Sequence, residues 1–400
     1  MKSVAKIAYL RMNRRFCTTN AGWLISVVIA LAIVAGIFAL ARLDVTGSKG
    51  SGLSEQFVYD VKDLAKIDPN LILYEEIRRG GPISTGFTNA RGLAVGPQES
   101  IYVAGDKAIR SFSESGQMLA EIDLTDTPRC LTAANDGEIY IGMKDHVEVY
   151  ACPDPRESKG RNGQRKRLAS WQSLGNNAVL TSIAVSKNDV FVADAGNRII
   201  LHYDTTGKLI NRIGEKDPQR NTPGFVIPSP YFDLAVGRDG LLRAANPGLH
   251  RVEAYTFDGD LEFWWGKFSS ALEGFCGCCN PVNFALLEDG SFITCEKGLV
   301  RVKIYNPEGA FVGVVAGPEQ LVEGGASHIC MLPGQCQAGG FDVAVDSGGR
   351  VLVLDTMKST VRVFTRKEIV KPALSEVEGM RNIRWAKINA YKPGSPDGVF

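Results

Sequence analysis

From residue 90 to residue 366, apolar and polar positions alternate in short bursts, each closed by a turn rich in Gly, Asp or Asn. A period of two marks half-buried β-strands, because successive side chains leave a strand on opposite faces. Six segments superpose: RGLAVGPQESIYVAGD, RCLTAANDGEIYIGMK, TSIAVSKNDVFVADAG, FDLAVGRDGLLRAANP, VNFALLEDGSFITCEK and FDVAVDSGGRVLVLDT. Each predicts a strand, a tight turn and a second strand. A third alternating strand comes after every pair, as in AIRSFS, HVEVYA, RIILHYD, HRVEAYT, RVKIYN and TVRVFT. Several units continue to a fourth, for instance DTTGKLINRIG and NPEGAFVGVVAG. Equivalent positions Leu93, Leu131, Ile183, Leu234, Phe284 and Val343 lie 38, 52, 51, 50 and 59 residues apart, so the turns vary while the strands do not. A four-stranded meander can bury both faces only against copies of itself. The pattern therefore predicts an all-β, six-bladed β-propeller over residues 70–368.

The sixth segment ends at TVRVFTRKE without an apolar fourth strand, while LILYEEIRR, Leu71 to Arg79, stands unassigned before the first repeat. Placed as the outer strand of blade six, that piece leaves no open sheet edge. Residues 369–400 show no period of two and are read as a loosely held tail outside the ring.

The third segment carries a more specific pattern. FVADAGNRIILHYDTTGKLINRIG, Phe191 to Gly214, runs strand, Asp-x-x-Asn turn, strand, Gly-Lys turn, strand, and in this it resembles the NHL-repeat family of propellers. The resemblance covers roughly residues 70–368 and thins in two segments, where Lys144 replaces the turn Asp and Glu296 stands without an Asn. It implies a binding scaffold, the role of most such propellers. It also implies a second possibility, since some similar six-bladed propellers hold a metal in the axial channel and act as lyases or lactonases. Only four His are present, and His146, His202 and His250 form no trio at equivalent channel positions. Asp233 and Asp342, at matching starts of inner strands, are the candidate channel-mouth pair for a cation or substrate. The alternative for both is hydrogen bonding to loop amides. Asp194 and Asp355, at the turn between second and third strands, are expected to hold that turn.

The N-terminus is of another kind. WLISVVIALAIVAGIFALA, Trp23 to Ala41, contains 19 residues without a charge, about 28 Å of helix against a hydrocarbon layer of roughly 30 Å. It predicts a retained transmembrane helix, because the run is longer than a signal-peptide core and the segment from Arg42 onward offers only a weak cleavage site. Lys2, Lys6, Arg11, Arg14 and Arg15 precede it without an acidic residue. That asymmetry places residues 1–22 in the cytoplasm and the rest outside, as for a single-pass protein of a bacterial inner membrane. Residues 42–69, polar and Gly/Ser-rich at Asp44–Gln56, read as a linker. Setting those five charges aside leaves the remaining chain four units negative. No basic field and no nucleic-acid motif exist, so nucleic acid is excluded as a partner.

Nine cysteines are present, eight of them beyond the predicted span, where disulfides persist. Alternate turns of a meander blade share a face. On that rule Cys276, Cys278, Cys279, Cys295, Cys330, Cys336 and His328 gather on one face over blades five and six. Three readings stay open. The long loops are stapled by disulfides, such as Cys330 with Cys336; or thiolates hold a metal or iron–sulfur cluster; or the thiols exchange disulfides. Neighbours Cys278 and Cys279 are expected to point apart and to take different partners. Trp264 and Trp265 straddle an outer strand, one for the core and one for a protein partner on the cysteine-bearing face. The basic run Lys159 to Arg167 reads as a solvated loop. No G-x-S-x-G, H-E-x-x-H, P-loop or dinucleotide motif is present. The sequence thus favours a membrane-anchored binding or scaffold propeller, with a metal or redox accessory protein and a channel-site enzyme as the alternatives.

Overall fold

Each repeat folds as the meander its alternation dictates. The structure, a computed structural model, describes residues 20–42, 61–77, 81–151, 167–220, 222–323 and 340–368. Cys17, Cys152, His328, Cys330, Cys336, the basic run up to residue 166 and the tail at 369–400 lie outside the described residues.

The chain forms two units, one up to Asp60 and one from Val61 onward. The first contains helix α1 (Asn20–Arg42). Among the described residues no helix is long and apolar enough to cross a membrane. The expected span at 23–41 coincides with α1, but spanning is not established by it.

The second unit carries helix α2 (Val61–Ala65), then strands β1 (Tyr74–Glu76) and β2 (Ile83–Ser84). Blade one is β3–β6 (Ala90–Val95, Ile101–Gly105, Ala108–Phe112, Met118–Asp123), and blade two is β7–β10 (Cys130–Ala133, Glu138–Gly142, Val147–Ala151, Arg167–Ser170). Blade three is β11–β14 (Leu180–Ser186, Asp189–Asp194, Ile199–Asp204, Leu209–Ile213). Blade four is β15–β18 (Leu234–Val236, Leu242–Asn246, Arg251–Tyr255, Leu261–Trp265). Blade five is β19–β22 (Asn283–Leu286, Phe292–Glu296, Arg301–Tyr305, Phe311–Ala316), and blade six contributes β23–β25 (Asp342–Val345, Val351–Asp355, Thr360–Arg366). Five sheets are four-stranded and antiparallel; the sixth runs β1-β25-β24-β23, with β2 also paired to β25.

That sixth sheet closes the ring. Tyr74, Glu75 and Glu76 pair with Arg366, Thr365 and Phe364, so a strand from the start of the propeller completes the last blade. Inner strand β23 packs beside β3, as every other inner strand packs beside the next. No blade edge is left open at the seam.

The period of two also explains the core. In β12, Val190 and Val192 face a cluster shared with blade two, while Phe191 and Ala193 face one shared with blade four. Each blade is buried on both faces in this way, and an interblade cluster fills each of the six gaps. At 61–69, the expected end of the linker, the chain is already part of this body: Ala65 is buried against Leu299 with Cys276 alongside. Leu73 then donates its N–H to Val314 in blade five at 2.9 Å.

Candidate functional site

Two features stand on the face formed by the loops entering each blade and the turns between its second and third strands: the channel mouth and the Cys276–Asn280 loop.

One residue per blade stands at the same place, just before the first apolar position of the inner strand: Gly92, Cys130, Ser182, Asp233, Asn283 and Asp342. Asn89, Arg91, Arg129, Thr181, Tyr231 and Thr356 extend the rim of a channel cavity of about 600 Å³. Asp233 accepts from Ser182 Oγ in blade three at 2.6 Å, from its neighbour Leu234 N at 2.9 Å, and from Phe284 N in blade five at 2.7 Å. Asp342 accepts from Val343 N at 2.8 Å and from Leu93 N in blade one at 2.7 Å. Thr181 donates to the Phe232 carbonyl and Asn283 to the Phe341 carbonyl, each at 2.7 Å. Polar side chains of this ring therefore stitch blade three to four, four to five, five to six and six to one. Burial pushes Asp233 up to about 6, against the opposing hydrogen bonds from Ser182, Phe284 and Leu234. Burial, then the charge of Asp233, pushes Asp342 up to about 8. With both oxygens of each carboxyl engaged by main-chain amides, neither is well placed to serve a cation.

The cysteine loop is fastened from below. Phe275 is fully buried between blades four and five, and its N–H reaches the Lys267 carbonyl at 2.9 Å. Cys276 N donates to Glu296 Oε1 at 3.0 Å. Asn280, itself buried, donates to the Cys276 and Lys297 carbonyls at 2.5 and 3.0 Å and accepts from Lys297 N at 2.9 Å. His250 Nε2 donates to the Gly277 carbonyl at 2.5 Å. Beneath the loop lies an ion cluster with no exposed atom. Glu296 takes Arg301 Nε at 2.7 Å and Lys303 Nζ at 3.1 Å, and Lys303 also donates to the Leu272 and Gly274 carbonyls. Burial brings Lys303 down to about 8 against the pull of Glu296, while the charges of Lys303 and Arg301 outweigh burial at Glu296 and hold it low. This cluster reads in the sequence as ordinary strand alternation, RVKIY, and was not anticipated. Asp194 and Asp355 hold their turns as expected: Asp194 Oδ1 accepts from Gly196 and Asn197 N–H, and Asp355 Oδ1 from Met357 and Lys358 N–H.

Of the set drawn from sequence, Cys276, Cys278, Cys279 and Cys295 are described, and Cys295 does not join the other three. Cys130, Cys276, Cys278, Cys279 and Cys295 are all free, so no disulfide joins them. Cys295 leaves the loop altogether. On β20 it shares the face of Ile293 and enters the core between blades five and six, where burial raises its thiol well above the ordinary value. Among the described residues no three His, Cys, Asp or Glu side chains come together as a metal site. Cys278 and Cys279 do not point apart. Their sulfurs lie 3.3 Å from each other, because the loop bends at Gly277 (φ 87°) instead of running as a strand. Burial pushes the Cys279 thiol up, but hydrogen bonds with Ser229, Lys297 and Cys278 outweigh it and hold it below the ordinary value. Cys278 is exposed, and its hydrogen bond to Cys279 raises it.

Of the two tryptophans, Trp265 is buried between blades four and five and Trp264 is 53% exposed under the Arg251 guanidinium, 4.5 Å from the ring centroid. A neighbouring apolar ridge was missed in the sequence. The Phe268 ring, 66% exposed, stands 5.1 Å from the His250 ring, beside exposed Leu249. Exposed Val226 is tied to the same turn through Gly248 N–H at 2.9 Å. Three separate loops meet there, which no linear pattern announces.

No family model matches the chain, and no curated protein matches it. Solved structures are similar in fold. The WD40 β-propeller domain of Doa1 is 17% identical over 72% of this chain and 82% of that one, with a TM-score of 0.47. Virginiamycin B lyase from Staphylococcus aureus is 14% identical over 74% of this chain and 99% of that one, also at 0.47. A gluconolactonase from Xanthomonas campestris is 12% identical over 72% and 88%, at 0.49. Identities this low bear on the fold alone, and the blade count rests on the sheet pairing itself.

Proposed function

We propose that this chain is a binding module whose six-bladed propeller docks a protein partner on the face over blades four and five. The observation that carries the reading is the ridge of Phe268, Leu249 and Val226, with Trp264 continuing it through Arg251. Apolar and aromatic side chains brought together by three loops fit a partner's apolar anchor, and Trp, Arg and exposed aromatics are the side chains that dominate such contacts. The NHL-like repeat at 191–214 supports the same reading. A channel-site lyase or lactonase fits less well, since Asp233 and Asp342 spend their oxygens on amides.

The membrane is the second part of the proposal. Residues 23–41 carry no charge, α1 covers them, and from 26 to 38 the helix is apolar on every side but one serine. Such a helix has no face suited to water. With five basic residues before it, the propeller would stand on the outer side of a bacterial inner membrane. Alkaline carbonate extraction of membranes tests this: the full chain is expected in the pellet and a chain beginning at residue 61 in the supernatant. Docking is tested by a photo-crosslinking amino acid at position 268 in those membranes. A discrete protein adduct is expected, abolished by Leu249→Asp and absent when the probe is at Glu308 on the opposite face. Equal adducts from both positions would sink the reading.

A further inference from the structure

The channel carboxyls and the buried Glu296 cluster both spend their charges on holding blades and loops. The Cys278–Cys279 pair does not. It joins an exposed sulfur to a buried one at 3.3 Å, inside a loop fixed by Asn280 and Glu296. The buried member has a specific environment. Lys297, itself buried, comes from the turn after β20, hydrogen-bonds Ser229 Oγ at 3.3 Å and lies 4.8 Å from the Tyr231 ring centroid. Lys297 and Ser229 both hydrogen-bond the Cys279 sulfur. An ammonium and a hydroxyl aimed at a sulfur out of water favour the thiolate. A structural core thiol needs neither, as Cys295 shows.

We propose that Cys278 and Cys279 form a thiol–disulfide exchange site, with Cys278 the sulfur that meets an external disulfide, Cys279 the resolving sulfur, and Lys297 the positioning residue. In its singly deprotonated form the pair holds one proton between its sulfurs. Passing it from Cys278 to Cys279 frees the Cys278 thiolate to attack a disulfide RSSR; a bond forms from Cys278 to one sulfur and RS⁻ leaves. That RS⁻ takes the proton from Cys279, whose thiolate then attacks the Cys278 sulfur and expels the second RS⁻. Two electrons pass from the pair to RSSR, and the products are a Cys278–Cys279 disulfide, one RSH and one RS⁻. An S–S bond is about 2.05 Å, so the sulfurs need to close by only about 1.3 Å. This goes beyond partner docking and does not depend on it.

The test equilibrates the full chain with mixtures of reduced and oxidised glutathione, then acid-quenches, alkylates and maps peptides by mass. A graded disulfide within the 278–279 pair is expected, lost in Cys278→Ser and in Cys279→Ser. Lys297→Met is expected to slow its formation severalfold at neutral pH, because the ammonium no longer favours the thiolate. The pH midpoint of the reaction should move upward, with Lys297→Arg restoring it. Ser229→Ala, a milder change, should shift the midpoint in the same direction and serves if Lys297→Met does not fold. The proposal is overturned if the pair stays reduced at every ratio or if either sulfur is found joined to Cys330 or Cys336. An unchanged pH midpoint in both Lys297→Met and Ser229→Ala would overturn it too.

Discussion

Asp342 of blade six takes the main-chain N–H of Leu93 in blade one at 2.7 Å, and Asp233 does the same for Phe284 of blade five. Both carboxyls keep their protons more tightly in the folded chain than the usual 3.8 allows. Their contribution to stability is therefore complete below that value, and is lost as pH rises through about 6 for Asp233 and about 8 for Asp342. The slope is at most about 1.4 kcal/mol per pH unit for each group. Thermal unfolding followed from pH 4 to pH 9 should show a falling midpoint, with the upper part of the fall missing in Asp342→Asn. Parallel profiles in the two proteins would mean that Asp342 ionises freely.

The seam depends on a two-pronged ion pair. Arg362 Nε and Nη2 meet Glu76 Oε1 and Oε2 at 2.8 and 2.5 Å, joining β1 to β25. Glu76→Ala should cost about 1–3 kcal/mol, the range for hydrogen bonds to a partly buried charged group. Urea unfolding should show a lower midpoint. Arg238 and Glu288 also pair, at 2.8 Å, but in open solvent, so Glu288→Ala should leave the midpoint where it is.

Under the cysteine loop, Glu296 compensates two cations that have no exposed surface. Glu296→Gln leaves both without it. A loss of about 3–5 kcal/mol is expected, as when one partner is removed from a buried pair. Because Cys276 N–H and the carbonyls of Leu272 and Gly274 hang on the same cluster, limited proteolysis should cut the 267–276 loop faster in the variant. Global unfolding without any change in loop cleavage would separate the two roles.

Trp264 and Trp265 are neighbours with opposite environments. Trp265→Ala opens a void between blades four and five and should cost about 3–5 kcal/mol. Trp264→Ala removes an exposed ring stacked on Arg251, for less than about 1 kcal/mol. Chemical denaturation of the two variants measures the difference. Comparable losses would mean that Trp264 is packed more deeply than its exposure indicates.

What could be read from the sequence was whatever depends on strand alternation. The six meanders, their turns and the use of residues 71–79 as a closing strand come from a period of two and the need to cover edges, and Tyr74–Glu76 does lie on Arg366–Phe364. Side-chain direction near strand ends was harder. Cys295 ends the second strand of blade five and reads as one of the thiols on the loop face, but its parity with Ile293 sends it into the core. Cys278 and Cys279 converge because Gly277 bends the chain, a conformation that adjacency in sequence does not reveal. Lys297 reaches Cys279 from another strand turn, and Ser229 from the loop entering blade four. Such meetings are set by how loops stack on a ring and leave no periodic trace in the chain. The Glu296–Arg301–Lys303 cluster hid for the opposite reason: its residues sit where alternation puts outward-facing polar side chains, yet the loop at 267–276 covers them.

The bond from Arg362 to Glu76 spans 286 residues. On a ribosome adding about 5–20 residues per second, the strand that finishes the ring waits on the order of tens of seconds for its mate. Until then the apolar face that blade one turns toward blade six has no partner. A chain that stopped before residue 360 would lack the strand on which Tyr74–Glu76 is paired, and with it the closure of the ring.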